Sequence, residues 1–380
     1  MKDQGNLDAA LKESLEALAV SERLAAQDPA NAQWQYQLGH RHTRIGEILL
    51  AQGNLDPALK SCVTGLSFHY SLAAQDPNNA QWKSALGADR VIFADNFEKR
   101  GKLAAALSEY RKALAIQEQI ATQDSTNAGW QCDVGHSYVR IGGILNAQGD
   151  LDAALSAYRT SFAIFEKLTS LSPGHVIWEH GLGLTCRHIG AILKTQGRLA
   201  ASLIECHKVL ACFARLAVQE PSNTQWQCDL GHSHHDIGSI LELQDDRTGA
   251  LNEYRLCRAI SERLAAQNLS NSNVQRDFAI DLLRVGTCLI DLDEVESGRS
   301  HLHRSLSILD GILGRTPAAP AIVPTLILTC YALAKAESKP NPYWQRTIDA
   351  LTVLMAQQPL DVEELRILTE AQFVVGFSAP

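Results

Sequence analysis

An all-α stack of antiparallel helix pairs is predicted by three ladders that share one spacing. Trp34, Trp82, Trp130, Trp178 and Trp226 stand 48 residues apart, and Gly5, Gly53, Gly101, Gly149 and Gly197 recur midway between them. Asn31, Asn79, Asn127 and Asn223 stand three residues before a tryptophan, and Asn271 holds the same repeat position one repeat further on. Self-similarity at a fixed period marks one supersecondary unit stacked on copies of itself, each copy burying its apolar face against its neighbours.

Within the first complete repeat, Trp34, Leu38, Ile45 and Leu49 fall on one helical face, and Asn31 offers an N-cap oxygen, which sets helix A at about 32–51. Gly53 suits the left-handed position past a helix end, and Asn54 with Asp56 supplies the cap and first-turn charge of helix B. Leu55, Ala58, Leu59, Cys62, Leu66, His69, Leu72 and Ala73 form its stripe, until Asp76-Pro77 stops it. The same pattern predicts repeats near 31–77, 79–125, 127–173, 175–221, 223–269 and 271–317, with stopping prolines at Pro29, Pro173, Pro221 and Pro317. Residues 5–29 read as a lone helix B, whose apolar face calls for a preceding segment or a partner. Residues 318–380 read as a degenerate terminal repeat and capping helix, with helices near 321–336, 343–357 and 362–374. One elongated repeat array over 1–317 plus this cap is the expected organisation.

Composition narrows function more than it defines it. The 34 basic and 42 acidic residues give a net charge of −8 without a basic block, which argues against nucleic acid. Nine cysteines without a CxxC pair, several on apolar repeat positions, read as small core residues in a reducing, cytoplasmic setting. The run from Ala318 to Ala334 is too short for a membrane span, and residues 1–14 have no apolar signal core. No membrane association and no cofactor are expected.

Gly142, Gly149, Ala154 and Tyr158, followed by Ser161 and Phe162, keep fixed spacing in successive repeats. This resembles the tetratricopeptide repeat (TPR), a 34-residue helix–turn–helix with small residues where its two helices touch. The surplus of 14 residues is close to four helical turns, about 21 Å of helix shared by the pair. Gly39, Gly87, Gly135, Gly183 and Gly231 extend the close contact along the added length. The elongated repeats are similar to those of kinesin light chains and of bacterial signalling proteins. The resemblance implies a right-handed superhelical solenoid that acts as a non-catalytic scaffold and binds a peptide or protein on its concave helix A surface. A regulatory or sensor arm of a larger signalling protein is the alternative it suggests.

If the apolar stripe faces inward, the opposite side of helix A faces the groove. Across the repeats that side reads Tyr36, His40, Thr43, Glu47, Leu50; Ser84, Ala88, Val91, Asp95, Glu98; Cys132, His136, Val139, Gly143, Asn146; His180, Leu184, Arg187, Ala191, Lys194; Cys228, His232, His235, Ser239, Glu242. It varies while the core positions repeat. The candidate partner-binding residues are His40, Glu47, His136, Asn146, Arg187, Lys194, His232, His235 and Glu242, and the cations among them favour a ligand with acidic or C-terminal carboxylate groups. His232 and His235, three apart, have the spacing of paired metal ligands, which leaves a metal- or small-molecule-binding helical protein as a further reading. Because neighbouring repeats carry Ala88 and Leu184 at the His232 position, the pair alone is not expected to complete a metal shell. The tryptophans are expected to pack in the core rather than to form a ligand platform.

Overall fold

A computed structural model describes residues 2–316, 319–337 and 341–378, with side chains from 6 to 376. Among the described residues there are sixteen α-helices and no strand. They are α1 (Lys2–Gln27), α2 (Ala32–Ala51), α3 (Leu55–Gln75), α4 (Ala80–Lys99), α5 (Leu103–Gln123), α6 (Ala128–Ala147), α7 (Leu151–Leu171), α8 (Val176–Thr195), α9 (Leu199–Gln219), α10 (Thr224–Leu243), α11 (Arg247–Gln267), α12 (Ser272–Asp291), α13 (Val295–Arg315), α14 (Val323–Ala336), α15 (Tyr343–Met355) and α16 (Val362–Ser378). Six helix A segments of 20 residues alternate with helix B segments of 21 residues before the terminal helices shorten. The chain divides into two compact units, Met1–Ile192 and Leu193–Pro380, with the division inside α8.

Asn31, Asn79, Asn127, Asn223 and Asn271 each cap the next helix A by accepting backbone N–H bonds, as at Trp34, Trp82 and Trp130. This supplies a partner for amides that no helical carbonyl can reach. At the A–B turn, Gly53 N–H donates to Leu50 O and Asn54 N–H to Leu49 O, with Gly53 at φ 79°. Left-handed backbone closes the helix in this way, and Gly101, Gly149 and Gly197 repeat it. In the next two turns Asp245 and Asp293 take the same place at φ 62° and 65°.

Four expectations need correction. Gly5 does not turn the chain but lies inside α1, because no helix A precedes it in the described structure. Asn54 precedes α3 without a side-chain cap bond; its amide donates to Gln52 instead. Asp150 and Asp246, at equivalent positions, do cap their helices. Thr43, Leu50 and Cys132, placed on the groove side by sequence, are buried. Helices α2, α4, α6, α10 and α12 each pack against their own helix B, and α2 also meets α4, so the exposed strip of helix A is narrower than a two-sided wheel implies. Finally, the tryptophans at 34, 82, 130, 178 and 226 are only half-buried. Pro317 lies outside the described residues.

The A–B contact is as tight as the small residues required. An added Cβ at Gly142 or Gly238 would come within 2.8 Å of the Tyr158 or Tyr254 ring, and at Gly46 within 2.6 Å of Cys62 Sγ. Tyr110, Tyr158 and Tyr254 are almost fully buried, and all nine cysteines are free, eight of them buried.

A second, polar set of joints links helix B to the following helix A in most repeats. Asp89, Ser137, Thr185, Ser233, Asp281 and Thr329 share one repeat position, and all are buried. Ser137 Oγ donates to Gln117 Oε1 at 2.5 Å, Ser161 and Thr185 hydroxyls lie 3.2 Å apart, and Ser305 and Thr329 lie 3.4 Å apart. A buried polar atom without a partner is costly, so these pairs fix the register between repeats.

Candidate functional site

In each unit the helix A row carries a concave region that gathers groove-side residues. In the N-terminal unit, α2, α4 and Trp130 of α6 enclose a cleft of about 390 Å³. Tyr36, His40, Thr43, Glu47, Ser84 and Ala88 line it, all of them positions assigned to the groove side from sequence. His40 is exposed, while Glu47 is half-buried and pairs with Arg44 at 2.9 Å. At the floor, Asp89 accepts from Thr43 Oγ1 at 2.6 Å and faces His69 Nδ1 at 2.6 Å, and His69 Nε2 faces Tyr36 O at 3.1 Å. This node is closed, because both carboxylate oxygens and both ring nitrogens have partners.

Further along the same unit, Asp95 accepts from Arg140, and the single Tyr110 hydroxyl proton is shared between Asp95 and Glu98, the latter at 2.7 Å. Burial pushes the Asp95 carboxyl above its usual range, against the opposing pull of Arg140 and Tyr110. His136 packs edge-on against Phe165, with ring centroids 5.0 Å apart. Burial, then the charges of Arg140 and His180, hold His136 below its ordinary value. Burial and Arg187 do the same to His188, which stacks on Tyr158 at 4.7 Å. Asn146 is exposed near the end of α6, away from these contacts.

In the C-terminal unit, a pocket of about 190 Å³ opens between α10, α11 and α12. Its lining includes Cys228, His232 and His235 from α10, Cys257 from α11, and Asp277 and Asp281 from α12. His232 is exposed and His235 half-buried. Cys257 Sγ donates to Asp281 Oδ1 at 3.1 Å, and His235 Nδ1 lies 3.8 Å from that same oxygen. Burial, then Asp281, pushes the Cys257 thiol far up, which is the reverse of what a nucleophilic cysteine needs. Lys194 Nζ donates to Ser239 Oγ at 2.8 Å, and Glu242 accepts from Tyr254 at 2.9 Å.

The structure thus gathers His40 with Glu47, and His232 with His235, whereas Asn146 stands apart. Sequence reasoning did not single out Asp89, Cys257, Asp277 or Asp281. For Asp89 and Asp281 the available signal was their shared repeat position, which carries Asp, Ser or Thr in six successive repeats; Cys257 and Asp277 stand on positions without such a pattern. Among the described residues no helix is long and apolar enough to cross a membrane.

No family model and no curated protein matches the sequence. Solved structures match the fold. The apo form of RapI superposes with a TM-score of 0.63 at 10% identity, over 98% of each chain. BtubC (BKLC) from P. vanneervenii gives 0.54 at 16% identity, over 69% of this chain and 92% of that one. The STAND signal-transduction ATPase PH0952 from Pyrococcus horikoshii, with a tetratricopeptide repeat sensor, gives 0.53 at 9% identity, over 92% of this chain. Here the match covers 51% of the other protein, so the chain spans about half its length. At such identities the likeness is one of fold: an all-α array of stacked TPR-like helix pairs.

Proposed function

We propose that this TPR-like array is a non-catalytic scaffold that binds an extended peptide or a partner protein along the exposed strip of its helix A row. The observation that carries the reading is the cleft of the N-terminal unit. Residues from successive helix A segments line it, and they differ between repeats while the helix contacts beneath them recur. A fixed scaffold with variable side chains on a concave wall suits recognition of a chain that presents one or two side chains per repeat.

The partner contributes acidic side chains or a C-terminal carboxylate. Burial and the neighbouring charges of Arg140 and His180 hold His136 below its ordinary value, and a carboxylate arriving there offsets those like charges and accepts charge-assisted bonds. Arg187 in the N-terminal unit and Lys194 in the C-terminal unit each add a cation to the strip. Both are half-buried and lie off the apolar stripe of helix A. With a partner isolated from the native host, Arg187→Glu and Lys194→Glu should each weaken binding about ten-fold or more, with unchanged helicity and Tm. Undiminished binding in both variants would refute the carboxylate assignment.

The likeness to PH0952 favours a second reading, in which the array is the sensor segment of a larger switch protein. Detection of the native product at a mass well above 41.5 kDa would favour it. A native product of 41.5 kDa would count against it.

A further inference from the structure

We infer that His235, Cys257 and Asp281 form a binding site for a zinc-class divalent metal ion, with one coordination position open to the pocket of the C-terminal unit. One ligand atom from each residue lies within 4.8 Å of the other two. The inference is independent of whether the helix A row binds a partner.

The site is the counterpart of the closed node at Asp89. His235 occupies the repeat position of Thr43, and Asp281 that of Asp89, four repeats on. In the N-terminal node Asp89 has short contacts of 2.6 Å to both Thr43 and His69. The C-terminal node lacks that closure. Ser261 stands where His69 does, its hydroxyl donates to Arg258 O in its own helix, and His235 stops 3.8 Å short of Asp281. Space is the second difference. An added Cβ at Gly39 would lie 2.7 Å from His69 Nε2, whereas at the equivalent Gly231 the nearest atom is Ile260 Cγ2 at 3.6 Å. The C-terminal node is therefore a loosened one: Cys257 and Asp281 keep their hydrogen bond to each other, and His235 stands off from them on the pocket wall.

Its chemistry selects the class of ion. Imidazole, thiolate and carboxylate together suit zinc or cobalt(II), whereas magnesium and calcium prefer all-oxygen shells and copper(I) prefers soft sulfur ligands. Zinc bonds of about 2.0–2.3 Å place neighbouring tetrahedral ligands about 3.3–3.6 Å apart, so the gaps of 3.1 and 3.8 Å, and a third within 4.8 Å, close on a metal by modest side-chain adjustments. Asp277 on the pocket wall adds negative charge that draws a cation in. On binding, the sulfur–hydrogen bond of Cys257 breaks, the sulfur keeps the electron pair for the metal, and the proton leaves to solvent. Three protein ligands leave a fourth position for water, or for a donor side chain of a bound partner.

The repeats themselves supply variants compatible with the fold. Serine occupies the Cys257 position at Ser161 and Ser305, threonine the Asp281 position at Thr185 and Thr329, and valine the His235 position at Val91 and Val139. Cobalt(II) titration of the full chain should give a thiolate-to-metal charge-transfer band and tetrahedral visible bands at one equivalent. Zinc should displace them and raise Tm. Cys257→Ser should abolish the charge-transfer band, and Asp281→Thr and His235→Val should each weaken zinc binding roughly ten-fold or more. Cys228→Ser, which removes the other pocket thiol, should leave the band intact. Absence of the band in the wild type, its persistence in Cys257→Ser, or its loss in Cys228→Ser would overturn the assignment.

Discussion

Positive φ at six successive A–B turns shows how much a single backbone angle decides in this chain. Glycine meets the requirement four times, but Asp245 and Asp293 must hold left-handed backbone that costs a side-chain-bearing residue free energy. Asp293→Gly should therefore stabilise the protein by roughly 0.5–1 kcal/mol, read as a higher urea midpoint at unchanged slope. At the helix contact the opposite change is costly. Gly142→Leu would drive a side chain into the Tyr158 ring and should destabilise by about 1–3 kcal/mol. Unchanged unfolding of that variant would contradict the helix register. The glycines among these positions were legible in the sequence because backbone angle and close packing each restrict the residue that can stand there, and the restriction repeats; Asp245 and Asp293 broke the ladder and were not. The buried state of Thr43 and Leu50 was not legible, since it depends on helices from the next repeat.

Among the elements, helices α6, α7 and α8 share a set of half-buried histidines whose titration opposes folding in acid. His136 and His188 both lie below the ordinary histidine value of 6.5, chiefly through burial. The unfolded chain then binds more protons than the folded one as pH drops through about 6.5. Stability from these two groups is present above that pH, falls as the medium becomes acidic, and levels off below their folded values. Urea midpoints measured from pH 7.5 to 5.5 should decline in the wild type and decline less in His136→Leu, a substitution with precedent at Leu184. An equally steep decline in the variant would show that His136 does not contribute. Helix boundaries at this scale were readable from Asn caps and turn glycines to within a few residues. The polar joints between helix B and the following helix A were not, because serine, threonine and aspartate at one position look like ordinary surface residues until their partners, 20 or 24 residues away, are seen to be buried with them.

For the molecule as a whole, repetition builds the scaffold and departures from repetition make the sites. The cleft around His40 and the pocket around His235 both arise where helix A side chains change from repeat to repeat over a conserved pattern of helix contacts. Sequence reading placed Tyr36, His40, Glu47, Ser84 and His232 on the open side, yet it did not show that Cys257 and Asp281 meet His235, because they come from two other helices. The most direct measurement is site-specific photocrosslinking, with a benzophenone side chain placed in turn at His40 and Ser84 in the cleft and at Tyr70 on the exposed side of α3. Crosslinks to an isolated partner from positions 40 and 84, suppressed by excess unlabelled array and absent from position 70, are the expected result. Crosslinks from position 70 alone would place the binding surface on helix B and contradict the reading of the helix A row as the interaction face.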